Sequence, residues 1–282
     1  MNNNLKLKIM KNQVFTGLII SLSLLTIIPL IFIIGYITIK GISAINFDFF
    51  INPSAPPGQY GGGIIHAIIG TVFVVLIGSG IAIPIGISTG LYLSEKQNSK
   101  FSDIIRILSD ILQSVPSIII GMIVYIWIVQ PIGSFSALSG GIALSIMMLP
   151  MIIRTTEEVL KLVPNTLKEA SLGLGVPYYK TLLKVILPTA SSGILSGVLI
   201  SIMRIAGETA PLLFTAFGNP FVNLNIFKGG VETLPHLIYS YALSPYEDWI
   251  DIAWGASFVL MAFLLGFTLL TKYIIHKKSV KI

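Results

Sequence analysis

Apolar residues run in long blocks along this chain, and short polar breaks divide them. Residues 15–39 are almost continuously apolar and read as a first span. Residues 64–93 form a second, with Pro84 and Gly86 as an expected kink. Residues 101–113 alternate at helical spacing, with Arg106 and Asp110 on the polar side. Pro116 then bends this lead-in into a third span that ends near Gln130 and Pro131. Residues 142–153 close a fourth span, 189–217 make a fifth and 249–273 a sixth. Each block is long enough, alone or with its flank, to cross a hydrocarbon core of about 30 Å. The expected fold is all-α and integral to the membrane. Its expected divisions are a 1–14 tail, the 15–39 span, an outer loop 40–63, a core 64–275 and a 276–282 tail. The core contains an inner loop 154–188 and an outer loop 219–248.

Composition supports this reading. The chain has 282 residues, 54% of them hydrophobic and only 11% charged, against about 25% charged in a soluble domain. The first apolar block is too long for a cleaved leader and no small-x-small site follows it, so it is expected to be retained. Without cysteine there is no disulfide framework, thiol nucleophile or thiolate metal site. The net charge of +6 gains meaning once it is placed on the spans. With the N-terminus inside, the inner segments carry Lys6, Lys8, Lys11, Lys96, Lys100, Arg106, Arg154, Lys161, Lys168, Lys180, Lys184, Lys272, Lys277, Lys278 and Lys281. The outer segments carry Lys40 and Lys228. That asymmetry predicts both termini in the cytoplasm and accounts for the basic balance without nucleic acid. The outer loops lean acidic through Asp48, Glu232, Glu247, Asp248 and Asp251. Such a surface would not steer an anion inward, so an anionic cargo would need a carrier protein.

The inner stretch 169–188 reads as helix, glycine turn, helix. Leu167, Ala170, Ser171 and Leu174 share one face, Gly173 and Gly175 supply the turn, Pro177 opens a second helix and Pro188 ends it. Glu169, Ala170, Gly175, Leu187 and Pro188 resemble, at matching spacing, the Glu-Ala-Ala-x3-Gly-x9-Ile-x-Leu-Pro motif of ATP-binding-cassette importer permeases. Ser171 replaces the second Ala and Val185 the Ile. The resemblance implies that Glu169, Ala170, Ser171, Gly173, Gly175 and Pro188 belong to a cytoplasmic coupling helix and its return, docked on an ATPase subunit. The bland alternative is an amphipathic interfacial segment.

Inside the fifth block, Arg204 and Glu208 stand four apart and can pair on one helix face. Counted from Ala190, Arg204 lies about 20 Å along, past the middle toward the outer side. Each charge at a span centre costs about 2.5–3.5 kcal/mol, so this helix must face protein or a water-filled path. Two readings stay open: an ion pair that packs helices, or a guanidinium that meets an oxyanion in bidentate fashion. Arg204, Gly207, Glu208, Thr209, Ala210, Pro211, Leu212 and Leu213 resemble the fifth-span signature of bacterial phosphate importer permeases. So do Gly61 to Gly63 with Ile64, Ala67, Ile68, Gly70 and Thr71, then Pro84 and Gly86, Tyr92 to Glu95, and Arg154 to Glu157. The Glu-Thr-Ala-Pro-Leu-Leu form is similar to the PstA-type member of that family rather than the PstC type. The resemblance implies a substrate pathway with Arg204, Glu208, Thr209 and Arg154. It also implies a second permease subunit of PstC type, two ATP-binding subunits and an extracytoplasmic phosphate-binding protein. ATP and Mg would be bound by the ATPase subunits, and no cofactor by this chain. Phosphate keeps a proton near neutral pH and can donate to Glu208, whereas sulfate would meet it as a like charge. For Arg154, at the inner end of its span, a headgroup contact is the competing reading.

His66, His236 and His276 show no metal spacing, and no Gly-x4-Gly-Lys-Ser/Thr loop exists to bind ATP. Trp127, Trp249 and Trp254 are expected as interface anchors. Three alternatives compete with the phosphate permease: the same architecture for sulfate or molybdate, an intramembrane lipid enzyme, and an ion-coupled carrier. The enzyme lacks a nucleophile or metal cluster, and the carrier has no use for the docking motif.

Overall fold

Helices carry most of the described residues, and their order follows from where proline, glycine and charge interrupt the apolar blocks. The computed structural model describes residues 3–59 and 61–279, with side chains for 7–59 and 61–273. Lys281 lies outside the described residues, and the side chains of Lys6, His276, Lys277 and Lys278 lie outside the described side chains. The helices are α1 (Asn3–Ala44), α2 (Phe47–Ile51), α3 (Ile65–Glu95), α4 (Lys100–Ser114), α5 (Ser117–Val124), α6 (Gln130–Ile132), α7 (Ala137–Lys161), α8 (Asn165–Gly173), α9 (Tyr178–Thr181), α10 (Leu187–Ala206), α11 (Leu234–Ala242) and α12 (Glu247–Ser279). Among the described residues, five helices are long and apolar enough to cross a membrane. They become six when α4 and the 117–132 segment, bent by 102° at Val115 and Pro116, count as one span.

The first helix shows no break at residue 39. It continues to Ala44, and α2 follows, so 40–44 and 47–51 of the expected 40–63 loop are helical. Asn46 caps α2 by accepting the Phe49 amide at 2.8 Å. Pro84 lies inside α3, which stays a single helix from Ile65 to Glu95.

The expected stop at Pro188 does not occur. Residues 182–186 form a π turn in which the Leu187 amide bonds the Leu182 carbonyl, five residues back, and the helix runs on through Pro188 into α10. The same device precedes Pro131: residues 125–129 form a π turn and the Gln130 amide bonds the Tyr125 carbonyl. A proline in a regular helix loses a bond and strikes the carbonyl four residues back. One wider turn moves that carbonyl away, so the helix survives.

The central seam joins α3 to α7. Gly78, Gly86 and Gly90 of α3 lie directly against Gly141, Ile152 and Thr156 of α7, the small-residue packing that brings membrane helices close. Val74, Ala82, Leu144, Met148 and Ile152 fill this seam, and Ile194, Val198 and Ile205 of α10 pack on it. A second cluster joins Phe49, Ile64 and Ala67 to Leu237, Tyr241, Ile252 and Ala256 of α11 and α12. Contacts fix two ends of the bundle. The starts of α3 and α7 lie with 215–234, for Thr71 Oγ1 accepts the Leu234 amide at 2.8 Å and Ser139 Oγ donates to the Thr215 carbonyl at 2.8 Å. The opposite ends of α3 and α7 lie with α4, α8 and α9 through Glu95, Arg106 and Glu157.

Gly70 shows how tightly the first end is closed. A Cβ there would stand 1.9 Å from the Glu232 carbonyl oxygen. Gly70→Ala is therefore expected to destabilise the protein by about 1–3 kcal/mol through overpacking. Gly80 has nothing within 4 Å of the corresponding position, so Gly80→Ala is the control. Thermal unfolding in detergent should show a lower midpoint for the first variant and an unchanged one for the second.

Candidate functional site

Arg204 sits in the last turn of α10, two residues before the helix ends at Ala206. This corrects the expectation of a fifth span running through to residue 217. Gly207 stops the helix, and its amide bonds back to Arg204 and Ile205. Glu208 therefore lies in the turn that follows, and Leu212–Phe214 forms a 3-10 turn. The two charges still meet, with Arg204 Nε 3.8 Å from Glu208 Oε1. This is a long contact, and the Arg204 side chain is 49% exposed within the chain. Such a pair adds little to stability.

One side of Arg204 borders a cavity of about 20 Å³ shared with Leu112, Gln113, Val115, Met147, Pro150 and Met151. The volume suits a single water and excludes any oxyanion. Pro150 lies near the middle of α7 (Ala137–Lys161), so Arg204, in the last turn of α10, stands beside the middle of α7. Thr209 holds the turn, its carbonyl accepting the Leu212 amide at 3.1 Å and the Leu213 amide at 3.3 Å. Pro211 lies against Gly121 of α5, so the 207–211 turn rests on the helix that follows the Pro116 bend.

Arg154 is engaged elsewhere. Its Nη2 donates to Asp110 Oδ2 at 2.6 Å and its Nε to Oδ1 at 3.2 Å, a forked pair between α7 and α4. The pair with Asp110 accounts for the position of Arg154, which lies one turn of α7 beyond the Pro150 that lines the cavity beside Arg204. Three residues further along α7, Glu157 is 1% exposed. Its Oε1 accepts Arg106 Nε at 2.9 Å and Lys161 Nζ at 2.6 Å. Arg106 also donates to the carbonyls of Gln97 at 3.0 Å and Leu93 at 3.3 Å. Neither the Arg106–Glu157 pair nor Arg154–Asp110 is legible in the sequence. Residues 154–157 do mark the segment, but partners 51 and 44 positions away carry no local signal.

The 165–181 hairpin forms the far surface at this end. Gly175 has φ +76°, a left-handed conformation that favours glycine. Gly173 lies within α8, and a Cβ added there would have nothing within 4 Å, so the turn does not require it. Ser171 Oγ and Thr181 Oγ1 meet at 2.9 Å in the buried seam of the hairpin. Leu167, Glu169, Ala170 and Leu174 remain exposed, Leu174 at 84%. The expected small apolar face is thus turned outward, except for Ser171.

At the opposite end, His66 is buried with Nε2 3.0 Å from Ser54 Oγ, and His236 Nδ1 meets Glu232 Oε1 at 2.6 Å. Trp249 stacks on Tyr241 at 4.2 Å and Trp254 meets Tyr36 edge-on at 5.2 Å, so both pack within the chain. Trp127 is 70% exposed.

The chain is thus a bundle of apolar, membrane-crossing helices with an exposed hairpin at one end and a half-exposed arginine in the last turn of α10. The chain belongs to the family of binding-protein-dependent transport system inner membrane components, whose model matches residues 82–278. It is 39% identical to the phosphate transport system permease protein PstA of Haemophilus influenzae, over 99% of this chain and 100% of that one. It is 43% identical to the PstA of Xylella fastidiosa strain 9a5c, over 80% of this chain and 79% of that one. Among solved structures, a chain of the inward-facing MetNI methionine ABC transporter shares the fold with TM-score 0.60, 20% identity and 76% of this chain covered, 94% of that one.

Proposed function

We propose that this chain is the PstA-type permease subunit of an ATP-driven importer that carries inorganic phosphate into the cytoplasm. The observation that carries this reading is the end-to-end similarity to a phosphate transport permease. The Arg204–Glu208 turn supports it as the place where cargo passes. About half of the Arg204 side chain is open within this chain, 49% exposed, and a PstC-type subunit would complete the path there. One of two ATP-binding subunits, holding ATP and Mg, would dock on the exposed α8 surface around Glu169 and Ala170. An extracytoplasmic phosphate-binding protein would deliver the cargo. The lysine and arginine asymmetry supports both termini in the cytoplasm. Closure of the ATPases would push the 154–188 segment and rock the spans, opening the path first outward and then inward.

Labelled phosphate uptake by the reconstituted complex, with excess sulfate or molybdate as competitor, tests the reading. ATP-dependent uptake insensitive to both competitors is expected. Uptake of sulfate or molybdate in place of phosphate would overturn it. Glu208→Gln is expected to let sulfate compete, because the like charge that opposes it is gone. Unchanged phosphate transport and sulfate exclusion would reduce the carboxylate to a partner for Arg204.

A further inference from the structure

The Tyr92 to Glu95 segment is left without a task by the site above, yet Glu95 occupies a junction. It is the last residue of α3, and its side chain is only 14% exposed. Its Oε2 accepts both Lys168 Nζ from α8 and Tyr178 Oη from α9. The two donors flank the Gly175 turn, so one carboxylate grips both arms of the hairpin. The ammonium of Lys168 also lies 5.0 Å from the centre of the Tyr178 ring. Burial works against the charge on Lys168, but the bonds to Glu95 and Tyr178 outweigh it and hold its pKa above the usual lysine value.

Elsewhere the hairpin and the α3–α4 corner stand apart. A polar cleft of about 950 Å³ opens between them, with Lys96, Gln97 and Asn98 on one wall and Leu162, Pro164 and Asn165 on the other. Glu95 bridges the two across this cleft. Beyond it the corner is rigid. Ser102 Oγ donates to the Lys96 carbonyl at 2.6 Å, and Arg106 holds the Leu93 and Gln97 carbonyls. These bonds lock α3's end to α4. At its other end α4 contributes Leu112 and Gln113, with Val115 just beyond, to the cavity beside Arg204.

We propose that Glu95 is a positioning residue for transport, tying the cytoplasmic hairpin to α4 so that displacement of the hairpin shifts the wall of the Arg204 cavity. The inference rests on the reading of the hairpin as the ATPase-docking element. The Ser171–Thr181 contact makes the hairpin move as one body, and Glu95 passes that movement to a helix of fifteen residues whose far end lines the cavity beside Arg204. Without the bridge, the cleft takes up the hairpin's motion. Hydrolysis then continues while transport lags.

The test is phosphate moved per ATP hydrolysed, measured in proteoliposomes holding the complete transporter. Glu95→Gln and Tyr178→Phe are compared with wild type; the second removes one hydroxyl from an exposed side chain and keeps the fold testable. For Glu95→Gln the ratio is expected to fall at least about fivefold, the lower edge of usual coupling factors, with stimulated hydrolysis retained. Tyr178→Phe is expected to lower it in the same direction by less. A wild-type ratio in both variants, or a parallel loss of transport and hydrolysis in Tyr178→Phe, would overturn the proposal. Ala170→Arg, on the exposed face of α8, separates this failure from that of the docking reading. If Ala170→Arg leaves assembly and hydrolysis untouched, the docking reading falls and the inference with it. If it blocks them while the Glu95 ratio stays normal, the inference alone falls.

Discussion

Replacing Arg204 by Gln is expected to cut phosphate uptake about 10- to 100-fold, the range set by losing charged hydrogen bonds worth about 1.5–3 kcal/mol. Assembly and ATPase activity stimulated by the loaded binding protein should remain. Gln keeps a polar side chain but loses the permanent charge and the fork that matches an oxyanion. The fold should tolerate the change, since the Arg204–Glu208 contact is 3.8 Å long and half of the arginine is exposed, a setting in which ion pairs contribute about 0–1 kcal/mol. The informative quantity is therefore uptake relative to hydrolysis. Normal uptake would make Arg204 and Glu208 a packing device, and the substrate would rest on similarity alone.

The largest effect on stability is expected from Arg106→Met. Glu157 is 1% exposed, and one of its oxygens, Oε2, finds no partner among the described residues. Its other oxygen depends on Arg106 and on Lys161, whose side chain is 38% exposed. Removing the guanidinium leaves a buried carboxylate half-compensated and frees the Leu93 and Gln97 carbonyls at the corner. A loss of about 3 kcal/mol is expected, the lower end for breaking a buried pair because Arg106 itself is partly exposed. The double variant Arg106→Met with Glu157→Leu should recover most of that loss, since an apolar pair carries no desolvation cost. Thermal unfolding of the detergent-solubilised chain measures both. An undiminished midpoint for the single variant would show that the network does not hold the corner.

The two predictions differ in how far the sequence foretells them. Arg204 is visible as a charge in an apolar block, because lipid tolerates so few charges that any one of them stands out. Arg106 and Glu157 are each visible, but nothing joins them. Charges near a span end are ordinary, and a pair 51 residues apart has no local spacing to betray it. The same limit explains Glu95. Its segment resembles a family motif, yet its role emerges only when the hairpin folds back beside the end of α3.

What the sequence determined by itself was the membrane class, the blocks that become helices, the presence of a bend at Pro116 and the small-residue turn at Gly175. These follow from local rules: apolar run length, proline geometry and the backbone range of glycine. Tertiary structure decided the rest. It carried the helix through Pro188, because a π turn relieves the steric conflict that a regular helix would meet. It ended α10 at Ala206, placed Arg204 beside Pro150, and committed Arg154 to Asp110. Each of these outcomes depends on which distant groups arrive within bonding distance. That is set by helix packing across the whole bundle, which no window along the chain contains.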